Sequence, residues 1–258
     1  MFLPVYTLWH RELTRFFRQP SRIAGAVATP LLFWLFMGSG LSGSFRLPGG
    51  PAGHSYLEYF FPGTIVLVLL FAAIFSNISV IEDRHEGFLQ GVLVAPVSRA
   101  ALVAGKILGG ATLAWLQGVI FLVLAPFSGI HLTAASALEA AGVLALLAIT
   151  LTALGFFFAW KLDSVQGFHA IMNVVLMPMW LLSGAFFPLS GAPRWLSTLM
   201  RLNPLTYGVE LLRGELSGPA AVLSDSLPGP VVSIGVTIAL GLVCLTASLL
   251  ATRGARVD

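Results

Sequence analysis

The segment Tyr59–Ile81 reads YFFPGTIVLVLLFAAIFSNISVI and contains no charged residue. At about 1.5 Å of rise per residue, about 20 helical residues cross a hydrocarbon core of roughly 30 Å. The segment is therefore long and apolar enough to cross a membrane as one α-helix. A strand of a membrane β-barrel would instead alternate apolar and polar residues over about 10 residues.

Five further windows are continuous, apolar and free of Asp, Glu, Lys and Arg: 23–45, 107–130, 140–160, 170–189 and 226–252. The whole chain is 57% hydrophobic and only 10% charged, whereas an average soluble domain is about 25% charged. These values exclude a soluble globular protein. They predict that residues 1–258 form one all-α polytopic membrane domain with six transmembrane helices, including the one at 59–81.

The distribution of basic residues predicts the orientation of the chain. If the amino terminus is cytoplasmic, the cytoplasmic connections carry 10 of the 14 Lys and Arg residues, and the outer connections carry the other four. Cytoplasmic loops of membrane proteins hold the excess of basic residues. We therefore expect a multi-pass protein of the bacterial inner membrane with both termini in the cytoplasm.

Residues 1–22 predict an amphipathic helix that lies along the membrane surface. Bulky apolar side chains recur at helical spacing on one face, and basic side chains occupy the other face, toward the lipid headgroups. The alternative is an ordinary positive flank that only fixes the orientation of the first span. The residues that we assign to this interfacial helix are Trp9, Arg11, Arg15, Phe16 and Arg18.

The cytoplasmic connection between spans two and three predicts a short amphipathic helix over Glu82–Val94. Its apolar residues recur at helical spacing after a cluster of charged residues, Pro96 ends it, and Ser98 is placed to cap the next helix. A solvated linker would have no use for such apolar residues. We therefore expect this helix to bind a partner; the alternative is a helix packed against the lipid surface.

The outer connection between spans five and six predicts two short helices, at 193–200 and 204–213. Each begins at a proline, Asn203 is placed to cap the second, and Glu210 and Arg213 are spaced to pair. Neither helix is long enough to span the bilayer, so we expect both to dip into the outer leaflet. A surface loop is the alternative.

The sequence contains no recognisable catalytic, cofactor or metal motif. Gly105-Lys106 is not part of a phosphate-binding loop, because Ile107 follows and Ala100 stands where the first glycine belongs. The five histidines occupy five separate segments. Because the six windows also lack charged residues that could couple transport to an ion gradient, any energy for transport should come from another protein.

Several short motifs occur in order along the chain. They are Pro-Leu-Leu-Phe-Trp-Leu at 30–35, Glu-Tyr-Phe-Phe-Pro-Gly at 58–63, Glu-Asp-Arg through Ala-Pro-Val-Ser-Arg at 82–99, Gly105-Lys106, Ser-Gly-Ala-Phe-Phe-Pro-Leu at 183–189 and Asn-Pro-Leu-Thr-Tyr at 203–207. With the amphipathic amino terminus, they resemble permeases of ABC type-2 exporters over nearly the whole chain. Within that family the sequence is most similar to daunorubicin-resistance and nodulation-factor exporter permeases.

This resemblance implies a permease subunit that exports an amphipathic drug, lipid or glycolipid and has no ATPase motif of its own. Its partners would be two copies of a separate ATP-binding cassette ATPase, a second permease copy and membrane lipids, without nucleic acid. A membrane scaffold that docks a cytoplasmic partner but transports nothing is the alternative.

The resemblance also assigns roles to residues. Phe88 and Leu89 would enter an apolar groove of the ATPase, and the acidic residues would meet polar groups at its rim. The complete ATPase-coupling set is Glu82, Asp83, Arg84, Glu86, Gly87, Phe88, Leu89, Val92 and Pro96. The residues of an outer gate would be Ser183, Gly184, Phe186, Phe187, Pro188, Asn203, Pro204 and Tyr207.

Overall fold

A computed structural model describes residues 2–41, 55–217 and 227–253. This part of the chain is helical and contains no β-strand. Its helices are α1 (Phe2–Phe17), α2 (Pro20–Leu41), α3 (Tyr56–His85), α4 (Phe88–Val94), α5 (Arg99–Leu122), α6 (Ala134–Lys161), α7 (Val165–Trp180), α8 (Arg194–Leu202), α9 (Pro204–Ser217) and α10 (Pro230–Arg253).

Six of the described helices are long and apolar enough to cross a membrane: α2, α3, α5, α6, α7 with the turn that extends it to Ala185, and α10. Each overlaps one of the six predicted windows, and the prediction of an all-α protein with six candidate spans is confirmed. Residues 42–45 and 226 of the predicted spans lie outside the described residues.

Several helices differ in length from the apolar windows. Helix α5 begins at Arg99 because the Ser98 side chain accepts a hydrogen bond from the Ala101 amide, as its capping role predicted. It ends at Leu122, well before the predicted residue 130, and a 3₁₀ turn at Ala125–Ser128 follows. Pro126 lies in that turn, where its missing N–H does not interrupt an α-helix.

Helix α3 lies at the centre of the bundle. Within its apolar part 83% of the residues are buried, against 22% for α2 and for α10. It packs against α2, α5, α6 and α7, while α1 packs mainly on α5. Both ends of α3 therefore meet several other helices, and both candidate functional regions are built around these ends.

The predicted helix over Glu82–Val94 is not continuous. Its first residues form the last turn of α3, and α4 starts only at Phe88. Between them Gly87 has φ of 76°, a left-handed conformation that glycine adopts without the steric cost borne by other residues. The correction follows from this glycine, which ends one helix and redirects the chain into the next.

Helix α10 docks through small side chains. Its buried face consists of Ser233, Thr237, Gly241, Cys244, Ser248 and Thr252. A Cβ atom added at Gly241 would lie 2.8 Å from Thr150 Oγ1 on α6, and Ser248 Oγ donates a hydrogen bond of 3.1 Å to the Ala153 carbonyl. Small residues allow transmembrane helices to approach closely, so this face fixes α10 against α6.

Replacing Gly241 with leucine should separate α10 from α6. We expect Gly241→Leu to lower the free energy of unfolding by about 1–3 kcal/mol, because an overpacked interface must shift its backbone. Gly235→Leu is the matched control on the same helix, since an added Cβ there meets no atom within 4 Å. Thermal unfolding of both variants in detergent micelles checks this, and equal melting temperatures would contradict it.

Candidate functional site

A buried cluster of charged side chains joins α1, α3 and α5 at the cytoplasmic end predicted for α3. Lys106 of α5 lies at its centre, and its ammonium group contacts Glu12 Oε1 of α1 at 2.6 Å and the carboxylate of Asp83 on α3. Ser79 donates a hydrogen bond of 2.7 Å to the other oxygen of Glu12. The exposed fractions of the three charged side chains are 2%, 5% and 0%, so all three charges are removed from water.

Two arginines of α1 complete this cluster. Arg11 binds both oxygens of Asp83, at 2.8 and 2.7 Å, and Arg15 bridges Asp83 at 2.6 Å and Glu82 at 2.8 Å. Burial lowers the pKa of Arg11, but the hydrogen bond and the charge of Asp83 outweigh burial and raise that pKa above its ordinary value. The cluster therefore places each buried charge against a charge of opposite sign, as buried ions require.

This geometry corrects the predicted orientation of α1. Arg11 and Arg15 were expected to face lipid headgroups, but they bind carboxylates of the same chain. Phe16 is buried, Trp9 Nε1 donates a hydrogen bond of 3.0 Å to Thr112 Oγ1 on α5, and Arg18 is exposed. The face of α1 that carries Arg11 and Arg15 is thus a protein interface.

Helix α1 crosses α5 closely beside the cluster. A Cβ atom added at Gly105 would lie 2.7 Å from Leu8 Cβ, and one added at Gly109 would lie 2.7 Å from Glu12 Cβ. These two glycines of α5 are four residues apart, so they share one helix face. Their missing side chains bring Glu12 within reach of Lys106.

Helix α4 exposes a different face from the one that the sequence suggested. Leu89 is 2% exposed and belongs to the core, and Phe88 is partly buried beneath Arg11, whose guanidinium carbon lies 3.7 Å from the ring centroid. Leu89 is therefore not available to a partner, and Phe88 is available only in part. The exposed residues of the segment are His85, Glu86, Gln90, Gly91, Val94 and Pro96, while Gly87, Val92 and Glu82 are partly exposed.

The end of α3 is also tied to the turn between α6 and α7. Arg84 donates hydrogen bonds to the carbonyls of Trp160 and Leu162 and pairs with Asp163 at 2.8 Å. His85 Nε2 lies 2.7 Å from the Asp163 carbonyl oxygen. Of the predicted coupling set, Arg84 thus binds this turn. Asp83 is buried and pairs with Arg11, Arg15 and Lys106 of its own chain.

At the opposite end of α3, two of the sequence motifs meet. Tyr59 donates a hydrogen bond of 2.6 Å to the Gly184 carbonyl, and Tyr56 donates one of 3.0 Å to the Phe186 carbonyl. In return Trp180 Nε1 donates a hydrogen bond of 2.7 Å to the Gly63 carbonyl. The motif at 58–63 therefore contacts the irregular turn in which the motif at 183–189 begins.

That turn departs from α-helical geometry. Leu181–Ala185 forms a π-helical turn, and Gly184 within it has φ of 77°. Such turns free backbone carbonyls from the helical ladder, and other groups must satisfy them. The carbonyl of Gly184 accepts hydrogen bonds from Tyr59 and, at 2.9 Å, from Arg213 of α9.

Arg213 forms a buried ion pair with Glu210 next to this turn. Its guanidinium lies 3.0 Å from Glu210 Oε2 and over the Tyr59 ring, 4.4 Å from the centroid. Glu210 is 9% exposed and Arg213 is 4% exposed. The predicted pairing of these residues is confirmed, but no pattern in the sequence indicates that the pair is buried.

The other predicted outer-gate residues lie in the segment after α7, at Asn203 between α8 and α9, and in the first turn of α9. Asn203 accepts a hydrogen bond from the Leu205 amide, as predicted for a cap, and donates one of 2.6 Å to the Met179 carbonyl. Ser183 bonds back to Trp180, and Tyr207 donates to the Arg201 carbonyl. Pro204 begins α9, Phe187 is partly exposed and Pro188 is buried.

Sequence reasoning missed the residues that bury charge. Glu12, Lys106 and Ser79 were not assigned to a site, because Lys106 and Glu12 lie beside apolar segments and resemble hydrated flanks. No local feature of the sequence distinguishes these residues from such flanks. Among the described residues, no group of three or more His, Cys, Asp or Glu is arranged to hold a metal ion.

Comparison with known proteins adds independent information. The family model described as "ABC-2 type transporter" matches residues 4–216. The ycf38 protein of Cyanophora paradoxa is 30% identical over 227 residues, which are 86% of this chain and 77% of that protein.

Two further relatives match at similar levels. Nodulation protein J of Rhizobium leguminosarum bv. trifolii is 28% identical over 78% of this chain and 76% of its own length. The inner membrane transport permease YadH of Escherichia coli (strain K12) is 28% identical over 80% of each chain.

Proposed function

Because the chain belongs to the ABC-2 type transporter family, we propose that it is the export permease of a transporter that is powered by a separate ATP-binding subunit. The observation that carries this proposal is the buried cluster around Lys106, which ties a short exposed helix to two spans. A permease without its own motor needs a rigid connection of this kind between its ATPase and its transport pathway.

We place the ATPase on the exposed face of α4. Val94 is 72% exposed, and Gln90 and Gly91 lie one helical turn before it. An apolar groove of about 510 Å³ continues this surface between α4 and the start of α1, lined by Leu3, Pro4, Thr7, Leu8, Phe88, Gly91, Val92, Ala95 and Val97. An apolar groove suits a partner with an apolar centre, and the carboxylates of Glu82 and Glu86, which precede α4 in the chain, suit a basic rim.

Glu82 and Glu86 lie at the edge of this surface. Both are near Arg15, at 2.8 and 3.5 Å, but Glu86 remains largely exposed. Charged groups at an interface rim set orientation and association rate more than affinity. We therefore propose that Glu82 and Glu86 orient the ATPase as it binds, and that Val94 and the groove supply most of the binding energy.

The outer region is the proposed gate. The turn at Leu181–Ala185 rests on α3 and α9 through hydrogen bonds that rotation or sliding of these helices would break. We propose that α8 and α9 cover the outer end of the pathway. An amphipathic drug, lipid or glycolipid suits the apolar and aromatic walls of such a bundle.

We propose an assembly of two permease copies and two ATPase copies in the inner membrane, with both termini of each permease in the cytoplasm. The basic asymmetry of the sequence supports this orientation, because the cluster, α4 and the α6–α7 turn then lie on the side where ATP is available. A pathway between two copies also agrees with the low burial of α2 and α10 within one copy.

The test replaces Val94, the residue at the centre of the proposed docking face. Val94→Asp should weaken binding of the ATPase about tenfold or more, because an interfacial charge without a partner costs at least about 1.4 kcal/mol. Val94→Thr keeps the shape of the side chain and is the matched control, for which we expect nearly normal binding. Co-purification followed by binding titration measures both.

The outcomes separate permease from scaffold. A permease should also change the ATP hydrolysis rate of its bound ATPase, whereas a passive scaffold should bind without that effect. Normal binding of the Val94→Asp chain would show that the ATPase docks elsewhere.

A further inference from the structure

We propose that Arg11 is a positioning residue that braces α4 against α3 across the break at Gly87, so that α4 and the membrane helices move together. This inference rests on the proposed function, because the movement to be transmitted is that of the ATPase. It assigns to α1 a mechanical role that its position along the sequence does not suggest.

The break between α3 and α4 needs a brace. Gly87 has positive φ, and an added Cβ there would meet no atom within 4 Å, so no side-chain contact at residue 87 fixes the break. Helix α4 has only seven residues, too few for a helix to be stable by itself. The angle between α3 and α4 must therefore be fixed by contacts from elsewhere in the chain.

Arg11 contacts both sides of the break. The edge of its guanidinium binds both carboxylate oxygens of Asp83 on α3, and its face covers the Phe88 ring on α4 at 3.7 Å. A planar guanidinium can make a bidentate ion pair and stack on an aromatic ring at the same time. One side chain thus contacts Asp83, before Gly87, and Phe88, after it.

The other contacts of α4 are apolar. Leu89 lies in the core, and Val92 and Leu93 pack against it, which holds α4 to the bundle through non-directional contacts. The contact of Phe88 with Arg11 adds a link to a side chain that two hydrogen bonds fix on Asp83. Loss of this link should therefore widen the range of positions that α4 adopts.

The position of Arg11 is fixed by the packing of α1 on α5. Its helix crosses α5 at Gly105 and Gly109, and Glu12, the next residue, pairs with Lys106. A displacement of α4 would therefore move α3 through the contact of Arg11 with Asp83. It would also move α5, because Arg11 belongs to α1 and α1 packs on α5. Without Arg11 the same displacement would bend the chain at Gly87.

The experiment measures the position of α4 in the full-length chain. Spin labels are attached to Gln90→Cys on α4 and Lys161→Cys on α6, both exposed positions, in a Cys244→Ala background. Labelled chain is diluted with unlabelled chain, so that distances within one copy dominate. Double electron–electron resonance then gives the distance distribution without requiring the ATPase.

We expect one narrow distribution for the parent chain and a broad one for both Arg11→Ala and Phe88→Leu. The second variant keeps the Arg11–Asp83 pair and the apolar volume, so it reports on the brace even if Arg11→Ala folds poorly. Arg18→Ala removes an exposed charge next to α1 and should leave the distribution narrow. A narrow distribution for Phe88→Leu, or for folded Arg11→Ala, would overturn the inference.

The second arm measures transmission in the complex with the ATPase. Bimane attached to Thr198→Cys on α8 should respond to ATP in the parent complex, and Arg11→Ala should lose this response while its ATPase continues to hydrolyse ATP. An equal response per ATP hydrolysed would overturn the inference. A parent complex that binds no ATPase would instead contradict the proposed function, and the distance distributions would still decide on the brace.

Discussion

Lys106→Met is expected to destabilise the chain by about 3–5 kcal/mol, which is the usual cost of removing one partner from a buried ion pair. Methionine preserves most of the side-chain volume, so the loss reports on charge. Glu12 would keep only Ser79 at 2.7 Å and Arg11 at 3.4 Å as close partners among the contacts described. Denaturant or thermal unfolding of the purified chain in micelles measures the change.

Two further variants make this prediction specific. Glu12→Gln introduced together with Lys106→Met should recover part of the lost stability, because it removes the carboxylate that Lys106 neutralised. Lys161→Met removes an exposed lysine and should change stability by less than about 0.5 kcal/mol. If Lys106→Met were as stable as the Lys161→Met control, the cluster would not anchor α1.

Gly63→Leu should disrupt the packing of the turn Leu181–Ala185 on α3. A Cβ atom at Gly63 would lie 2.8 Å from Ala185 Cα, a backbone atom of the π-helical turn that cannot rotate away. The turn would have to leave α3, and the hydrogen bonds that Trp180, Tyr59 and Arg213 make there would be lost. We expect a loss of about 3 kcal/mol, at the upper end of the range for overpacking.

The matched control for this variant is Gly142→Leu on α6, where an added Cβ meets no atom within 4 Å. Both variants place a leucine in an apolar helix, so a difference in unfolding temperature isolates the contact with Ala185. Tryptophan fluorescence gives a second readout, because Trp180 is buried and hydrogen-bonded to Gly63. Unchanged fluorescence and stability in Gly63→Leu would contradict the packing of the two motifs.

The sequence predicts the spans because composition alone decides them. A run such as Tyr59–Ile81 has no stable alternative to a membrane helix, and capping residues such as Ser98 and Asn203 act locally. The effect of a capping residue depends only on residues within one helical turn of it. These predictions are confirmed by the helices that the structure contains.

The buried cluster could not be predicted in the same way. Lys106 pairs with Glu12, 94 positions away in sequence, and nothing local distinguishes it from a hydrated flank. Helical periodicity also shows that Arg11 and Arg15 share a face without showing what that face meets. In α4 the same ambiguity assigned Phe88 and Leu89 to a partner, although they pack within their own chain.

One local signal was available but was not used. Gly87 follows a charged turn and precedes apolar residues, and glycine in a helix interior is unfavourable by about 1 kcal/mol relative to alanine. The same cost applies at Gly91, which nevertheless lies inside α4, so this signal marks Gly87 as a possible break without deciding it. The burial of Glu210 and Arg213, by contrast, depends on the irregular turn of α7 and has no local signature.

The most direct test of the proposed function follows the bimane-labelled Thr198→Cys chain in vesicles that also contain its ATPase. We predict that ATP supplied to the cytoplasmic side changes the fluorescence on the outer side. The change should persist when a protonophore collapses the proton gradient, because the six apolar windows carry no ionisable relay. It should vanish when the phosphate-binding lysine of the ATPase is replaced. A fluorescence change driven by the proton gradient without ATP would contradict the proposal.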